Sequence, residues 1–436
     1  MGSQMPADQM NARTKVRVDR LVGGPLAWGL NFAARALGRT LHRNHSVARD
    51  DVSTIVIAKY VGLGSIVEAT PLIRTLRSGF PKARIFFVTG ISCRPLVERL
   101  EFVDAIVTID DRNVFWAMIS SLAAIVTLIR ARVDLYFDLE LYSAYGSIMA
   151  LLSLTRNRLG FYRESAERKV GIYTHLVYFN TRCPIRHIYL QLARAVGCAP
   201  VEPDRLGRLH VDDADRREVA SLLAARGVRA HPYLVVNPNA SDLMIERRWP
   251  VERFATLIGQ LATQPNLPVL LIGSPSERAY VARVVALIPG GESERVQNLA
   301  GALSLGALLA LLERARCLIT NDTGPMHMAW ALAVPTVCLF GPVDPNHYGW
   351  SGANVEIVYH RVYCSPCLHE TDEPPCRGDN VCMQRIEVEP VLAALRRILA
   401  ETVGNHPSNF EFRFFEDDKG LPLGRVVRGS IEEAGS

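Results

Sequence analysis

The residues best suited to chemistry lie in a polar turn between an apolar strand and a short helix. The turn consists of Asn321, Asp322, Thr323 and Gly324, and Pro325 follows where the helix is predicted to begin. Proline suits a first helical position because its missing N–H would be unpaired there anyway. Unpaired backbone N–H groups and the positive end of the helix dipole attract phosphate. The turn is therefore a candidate phosphate-binding site.

A histidine lies one turn inside the same predicted helix, where His327 is expected to reach the same anion. A simpler interpretation is that Asp322 or Thr323 only caps the helix. The run Asp-Thr-Gly-Pro-Met-His at 322–327 is, however, followed by Phe-Gly-Pro-Val-Asp-Pro at 340–345. These two stretches resemble the signature of glycosyltransferase family 9, the lipopolysaccharide heptosyltransferases. The resemblance implies that the turn binds the diphosphate of a nucleotide sugar.

A glycine-rich turn follows the first apolar strand, which ends near Lys59. Gly62 and Gly64 permit a tight turn, a helix is predicted to start at Ser65, and this turn is expected to contact the nucleotide sugar. The resembled family has an Asp at the position of Ser65, and the resemblance implies a catalytic base there. A neutral hydroxyl cannot accept a proton at ordinary pH. Ser65 and Glu68 also fit a capping box, in which each side chain bonds a backbone N–H of the other.

Three carboxylates on the N-terminal half are candidates for the displaced base, namely Glu68, Asp138 and Glu140. Asp138 and Glu140 lie in an alternating segment that places both on one face of a strand or at its carboxyl end. A capping box would occupy Glu68. Glu140 is therefore the favoured base.

A second strand–turn–helix–strand unit covers residues 234–276 and has the order of a nucleotide-binding βαβ unit. Arg247 stands two residues before a Trp-Pro pair, where the resembled family has a Lys that contacts the donor diphosphate. Arg keeps the charge and offers a planar two-pronged donor, although a solvated basic turn is the alternative. Glu277 falls where the family places an acidic residue for the nucleoside, but such turns often carry Glu as a first-turn helix charge.

Four of the nine cysteines cluster late in the chain as C-x2-C-x8-C-x5-C, at Cys364, Cys367, Cys376 and Cys382. With no secretory signal the expected compartment is reducing, which disfavours disulfides. Four thiolates favour a structural site for Zn or another thiophilic metal, with disulfides and free thiols as the alternatives.

The N-terminal segment is basic, since residues 11–49 hold eight Lys or Arg against one acid. Within it, residues 21–43 predict a helix from Pro25 with Leu26, Leu30 and Leu37 on one side and arginines on the other. Trp28 and Phe32 fall beside this stripe, which is typical of a helix lying at a membrane surface. The alternative is a helix docked on the N-terminal domain.

A second apolar run, at 115–129, predicts a buried or membrane-facing helix rather than a span. Neither segment resembles a signal peptide or a spanning helix. A cytoplasmic protein, peripheral on the inner face of the cytoplasmic membrane, is expected. The net charge of only +5 is too small to imply nucleic-acid binding.

The 436-residue chain is too long for one ordinary core and is divided into four parts. These are an anchor segment at 1–49, an acceptor-binding α/β domain at 50–205, a nucleotide-sugar-binding α/β domain at 206–404 and a polar tail at 405–436. Alternating strands and helices predict two Rossmann-like doubly wound domains. The resemblance implies the GT-B arrangement, in which the two domains face each other across a cleft.

The leading hypothesis is an inverting glycosyltransferase that moves a sugar, with heptose suggested by the resemblance, from a nucleotide diphosphate to a glycolipid. Helix start, histidine and arginine would stabilise the leaving group, so no catalytic divalent metal is expected. The alternatives are a nucleotide-sugar epimerase on the same double fold and a nucleotide-sugar-binding protein without catalysis.

Overall fold

The computed structural model describes the chain with interruptions. The described residues are 14, 17–41, 44–164, 170–228, 232–240, 244–263, 267–350, 352, 354–368, 370–371 and 374–401. The predictions for most of residues 1–16, for residues 42–43 and for the tail at 405–436 lie outside them.

Twelve described strands form two sheets of six parallel strands each. The first sheet has the order β3-β2-β1-β4-β5-β6, and the second has the order β12-β11-β10-β7-β8-β9. The strands are β1 Thr54–Ala58, β2 Arg84–Gly90, β3 Ala105–Ile109, β4 Leu135–Asp138, β5 Asn157–Tyr162, β6 His175–Tyr178, β7 Leu234–Asn237, β8 Val269–Leu271, β9 Val296–Asn298, β10 Cys317–Asn321, β11 Thr336–Phe340 and β12 Val355–Tyr359. The predicted pair of doubly wound sheets is confirmed.

The central strands are buried on both faces, as their continuous apolar sequences require. In β1, Ile55 and Ile57 belong to the core on one face of the sheet, whereas Val56 and Ala58 belong to the core on the other. The first of these cores is continuous with the second sheet, where it includes Val235 and neighbours from other strands. One apolar core therefore joins the two sheets on the side where they face each other.

Helices cover both sheets. They are α1 Gly24–Leu41, α2 Leu63–Glu68, α3 Thr70–Gly79, α4 Arg94–Val97, α5 Val114–Arg130, α6 Ala144–Leu152, α7 Ile185–Arg194, α8 Asp213–Ala225, α9 Val251–Ala262, α10 Arg278–Ala286, α11 Leu305–Glu313, α12 Gly324–Ala331, α13 Pro345–Tyr348, α14 Val381–Gln384 and α15 Val388–Glu401. The stripe predicted for α9 is buried as expected, at Phe254, Leu257, Ile258 and Leu261.

The predicted capping box between Ser65 and Glu68 is wrong. Gly62 occupies the position before the helix with φ of 91°, a left-handed conformation that glycine adopts without strain. This turn lets α2 begin at Leu63, two residues earlier than predicted, so Ser65 lies inside the helix. Glu68, the last residue of α2, is fully buried and turns towards the second sheet.

The N-terminal helix α1 is docked, as the alternative interpretation proposed. The carboxylate of Asp19 accepts the backbone N–H groups of Ala144 and Tyr145, at 2.9 and 2.8 Å, and so caps α6. Ala27 packs against Ala144 and Ile148. The buried side of α1 thus consists of Gly24, Ala27 and Asn31, with Leu30 partly buried beside them. The larger side chains of the predicted stripe, such as Leu26 and Leu37, are exposed.

Candidate active site

The predicted phosphate turn lies between the end of β10 and the start of α12, at the carboxyl edge of the second sheet. Ligands of open α/β sheets bind at this edge. The helix begins at Gly324, one residue earlier than predicted, and Thr323 precedes it in extended conformation without a side-chain cap bond. The backbone N–H groups of this first turn are therefore not occupied by a capping side chain.

Buried side chains fix the shape of this turn. Asn321 is fully buried, and its amide donates to the carbonyls of Pro238 and Asn239, both at 3.0 Å. The Nδ2 of Asn237 donates to the hydroxyl of Thr323 at 2.8 Å. Asn321 thus holds the neighbouring loop rather than pointing into the cleft.

A cation lies beside the turn, as predicted. Arg247 Nη1 lies 3.5 Å from Asp322 Oδ2 and donates to the backbone carbonyl of Asp322 at 3.2 Å. The Asp322 side chain is only 3% exposed and that of Arg247 is 19% exposed. The guanidinium is therefore positioned by the turn, and about a fifth of the Arg247 side chain is exposed.

The predicted nucleoside ligand has a local partner. One oxygen of Glu277 accepts the backbone N–H of Ser274 at 2.8 Å, and the Ser274 side chain completes a capping box. This is the alternative considered from the sequence, a first-turn helix charge. A contact of Glu277 with a nucleoside stays a prediction.

The two domains touch at α2 and α12. Gly64 lies so close to the ring of His327 that a Cβ atom at this position would overlap the imidazole. Glu68 Oε1 lies 3.0 Å from His327 Nδ1, with side-chain exposures of 0% and 4%. The other oxygen of Glu68 is 3.8 Å from Nη1 of Arg186, which is itself buried. A carboxylate of the first domain therefore contacts the histidine of the second.

Glu140 lies at the carboxyl edge of the first sheet in a dense polar network. Its Oε2 is 2.8 Å from Nζ of Lys59, and its Oε1 accepts the backbone N–H of Tyr60 at 2.9 Å. Asp138 is fully buried, accepts the N–H of Glu140 at 3.0 Å and accepts the Tyr173 hydroxyl at 2.5 Å. Asp138 thus fixes the backbone of Glu140 through a hydrogen bond.

Two tyrosines that the sequence did not single out complete the cleft. Tyr189 lies beside Ser65, and its pKa is raised by burial and by the nearby charges of Glu140 and Glu68. Burial also raises the pKa of Tyr348. Lys59 of the first domain lowers this pKa and Asp322 of the second raises it, so Tyr348 lies near both domains. No sequence motif identifies these tyrosines, because their neighbours come from distant segments of the chain. The structure therefore brings Glu68 into contact with His327 and Ser65 and Glu140 near them, whereas Glu277 is held at its own turn.

The four-cysteine segment packs beside the site. The backbone N–H of Cys367 donates to the carbonyl of Pro342 at 3.0 Å, next to the Phe-Gly-Pro stretch. All nine cysteines are described, and none of them forms a disulfide.

The thiols of this segment lie close enough to influence one another. Burial raises the pKa of Cys367 and raises that of Cys382 to about 12, and in both cases the neighbouring thiols add to the shift. Within the described parts of the chain, no group of three or more ligand side chains is arranged to hold a metal ion. The metal site at Cys364, Cys367, Cys376 and Cys382 stays a prediction.

Two Rossmann-like domains face each other. The second domain contributes a helix start suited to phosphate, and the first contributes carboxylates held by hydrogen bonds. This arrangement of two doubly wound domains is the GT-B fold. The family profile described as glycosyltransferase family 9 (heptosyltransferase) matches residues 143–376, more than half of the 436-residue chain. The chain belongs to glycosyltransferase family 9.

Individual relatives agree with this assignment. Lipopolysaccharide heptosyltransferase 3 from Escherichia coli K12 is 25% identical over 357 residues, which cover 78% of this chain and 96% of that protein. A glycosyl transferase family 9 from Veillonella parvula superposes with a TM-score of 0.67 at 20% identity, covering 82% of this chain and 100% of that one. E. coli ADP-heptose lps heptosyltransferase II gives 0.65 at 19% identity, with 81% and 100% covered. These structures confirm the fold.

Proposed function

We propose that this protein is an inverting glycosyltransferase that moves heptose from ADP-heptose to a glycolipid of the lipopolysaccharide type. Family membership supports sugar transfer, and the names of the similar E. coli proteins supply the donor and acceptor classes. The observation that carries the proposal is the contact between His327 and the first domain. This contact supports the proposal because it brings the helix that follows the predicted phosphate turn against α2, which carries Ser65 and Glu68.

On the donor side, the diphosphate would bind the free N–H groups at Thr323 and Gly324. Arg247 would offer its accessible guanidinium to a phosphate oxygen, and His327 would donate from the ring nitrogen that Glu68 does not contact. These donors stabilise the charge that develops on the leaving group. The residues present thus supply electrostatic stabilisation at the point where the sugar–phosphate bond breaks.

On the acceptor side, Glu140 is the proposed base. It would take the proton of the acceptor hydroxyl as that oxygen attacks the anomeric carbon from the face opposite the diphosphate. Lys59 and the backbone of Tyr60 fix the carboxylate, and Asp138 holds it from behind. Because Asp138 is fully buried, its proposed role is to position Glu140.

Glu68 is the remaining carboxylate, and its contacts suggest a different role. It is fully buried and lies between the imidazole of His327 and the guanidinium of Arg186. A carboxylate at one ring nitrogen of a histidine fixes the ring orientation and the tautomer, so that the other nitrogen faces the ligand. We propose that Glu68 positions His327.

The remaining finer assignments are proposals of the same kind. Gly62, Gly64 and Ser65 would form the floor of the sugar site, and Glu277 would meet the nucleoside with its second carboxylate oxygen. The protein would act at the inner face of the cytoplasmic membrane, held there through residues 21–43. None of the described helices is long and apolar enough to cross a membrane.

Incubation with ADP-heptose and other nucleotide sugars, with and without bacterial glycolipid, tests the proposal when every product is identified by mass spectrometry. We expect a heptosylated glycolipid and free ADP. An altered nucleotide sugar formed without acceptor would indicate an epimerase. Because Ser65 replaces the Asp of the family, the second candidate is a nucleotide-sugar-binding protein. Binding of ADP without turnover of any donor would favour it.

A further inference from the structure

Two helices of the first domain expose large apolar side chains to solvent. In α1, Trp28 and Phe32 are 65% and 71% exposed. In α5, Phe115, Met118 and Leu122 are 62%, 64% and 64% exposed, and Trp116 is nearly half exposed. We call these six residues the apolar platform. Contiguous exposed apolar area of this kind marks an interaction surface.

The two helices are held on either side of the start of α6. The turn that leads into α1 caps α6 through the bonds from Ala144 and Tyr145 to Asp19. The Tyr145 hydroxyl lies 2.6 Å from that of Ser121 in the middle of α5. Adjacent residues of α6 therefore contact the α1 segment and α5, so α6 holds the two helices next to each other.

This surface is close to the cleft. Helix α5 starts soon after β3 ends, and α6 starts soon after β4 ends, so both helix starts lie at the carboxyl edge of the first sheet. The proposed base Glu140 lies in the connection between β4 and α6 at the same edge. The aromatic residues at the start of α5 therefore lie at the same edge of the sheet as Glu140.

The charges beside α1 are mainly positive, and its one neighbouring acid, Asp19, is used to cap α6. Asp110 and Asp111 precede α5, and Asp110 is paired with Arg112. Helix α1 contains Arg35 and Arg39 and no acid, and α5 contains no charged residue before Arg130. Arg17 and Arg20 precede α1. Apolar and aromatic side chains flanked by arginines match the acyl boundary and the anionic headgroups of a bilayer. A symmetric contact with a second copy would instead bring the arginines of both copies together.

We propose that α1 and α5 form one platform that lies on an anionic lipid bilayer, with the start of α5 inserted beside the acceptor side of the cleft. The surface thus includes α5 as well as the N-terminal segment. A glycolipid in the same leaflet would then present its headgroup to Glu140 without leaving the bilayer. That last step rests on the proposed function, whereas binding to the bilayer does not.

Cosedimentation of the full chain with vesicles tests the platform. One set of vesicles contains phosphatidylcholine alone, and the other contains equal amounts of phosphatidylcholine and phosphatidylglycerol. The variants are Met118→Glu/Leu122→Glu in α5 and Phe32→Glu in α1. The control is Leu287→Glu, which changes an exposed leucine of the second domain in the same way. Circular dichroism melting shows that each variant is folded.

We expect the parent to bind the mixed vesicles more strongly than the neutral ones. The double variant should bind at least about tenfold more weakly, because it withdraws two apolar side chains and adds two charges of the same sign as the lipid. Phe32→Glu should also bind more weakly, and Leu287→Glu should match the parent. Parent-like binding by the folded double variant would overturn the proposal. So would a parent dimer in solution that the double variant dissociates, which would identify a second copy as the partner.

Failure of the proposed function gives a different result. Vesicle binding without transfer of any sugar would refute only the function. Sugar transfer to a soluble, deacylated acceptor by a protein that binds neither kind of vesicle would refute only the platform.

Discussion

Replacing Glu68 with Gln distinguishes a carboxylate that positions His327 from one that takes the acceptor proton. Gln keeps the shape of the side chain and an acceptor oxygen, but it removes the negative charge beside the imidazole. In the parent protein Glu68 Oε1 lies 3.0 Å from His327 Nδ1, and both side chains are almost completely buried. The charge of Arg186, 3.8 Å from the other oxygen, would lose its nearest buried partner.

The expected effect follows from this geometry. A hydrogen bond to a charged group contributes about 1.5–3 kcal/mol, and the neutral amide retains part of it. We therefore expect Glu68→Gln to lose about 1–2 kcal/mol of ADP binding free energy, which corresponds to a Kd about 5- to 30-fold higher. The cause is that His327 no longer holds the orientation in which it donates to the diphosphate.

Calorimetric titration with ADP measures this effect in the parent, Glu68→Gln, His327→Ala and the double variant. If Glu68 acts through His327, the double variant should be little worse than His327→Ala alone. Glu389→Gln is the control, because it changes an exposed carboxylate on α15. Additive losses would refute the coupling. An unchanged Kd together with a loss of about 10²–10⁴-fold in transfer rate would identify Glu68 as the base.

The remaining predictions concern the other parts of the site. Asp322→Ala and His327→Ala should each weaken ADP binding in calorimetry while the protein stays folded, and unchanged affinity in both would remove the phosphate assignment. Glu140→Gln should lower the transfer rate by about 10²–10⁴-fold with a nearly unchanged ADP Kd, and a rate within a few-fold of the parent would place the base elsewhere. Gly64→Ala should lower the free energy of unfolding in urea by about 1–3 kcal/mol, because its methyl group overlaps the imidazole; parent-like stability would contradict the close approach. Elemental analysis of protein purified without chelator should find about one equivalent of zinc or iron, lost in Cys367→Ser, whereas folded, metal-free parent would refute the metal site.

The sequence predicted those features that depend on neighbouring residues. The stripe of α9 and the buried strands follow from local periodicity, and the turn at Asn321–Gly324 follows from residue types at a strand–helix junction. The two-sheet architecture follows from the alternation of such elements. These features require no knowledge of which distant segments meet.

The predictions were wrong where a contact between segments far apart in the sequence determines the position of a side chain. Glu68 was assigned to a local cap, but its partner His327 is 259 residues away in the chain. In α1 the sequence predicts an apolar stripe that includes Leu26, Leu30 and Leu37, of which Leu26 and Leu37 are exposed and Leu30 is partly buried. The helix is instead fixed by Asp19 and by Asn31, whose amide oxygen accepts the N–H of Gly171 at 2.6 Å. Polar anchors therefore overrode the apolar stripe.

If His327 binds the nucleotide as proposed, its contact with Glu68 links ligand affinity to domain closure. Any opening of the cleft must separate these buried groups and hydrate both. If only the closed form presents His327 to the nucleotide, the apparent Kd equals the intrinsic Kd divided by the closed fraction. A substitution at the far side of the first domain that opens the cleft would then weaken nucleotide binding without touching the nucleotide, and a bound nucleotide would hold the acceptor domain in place.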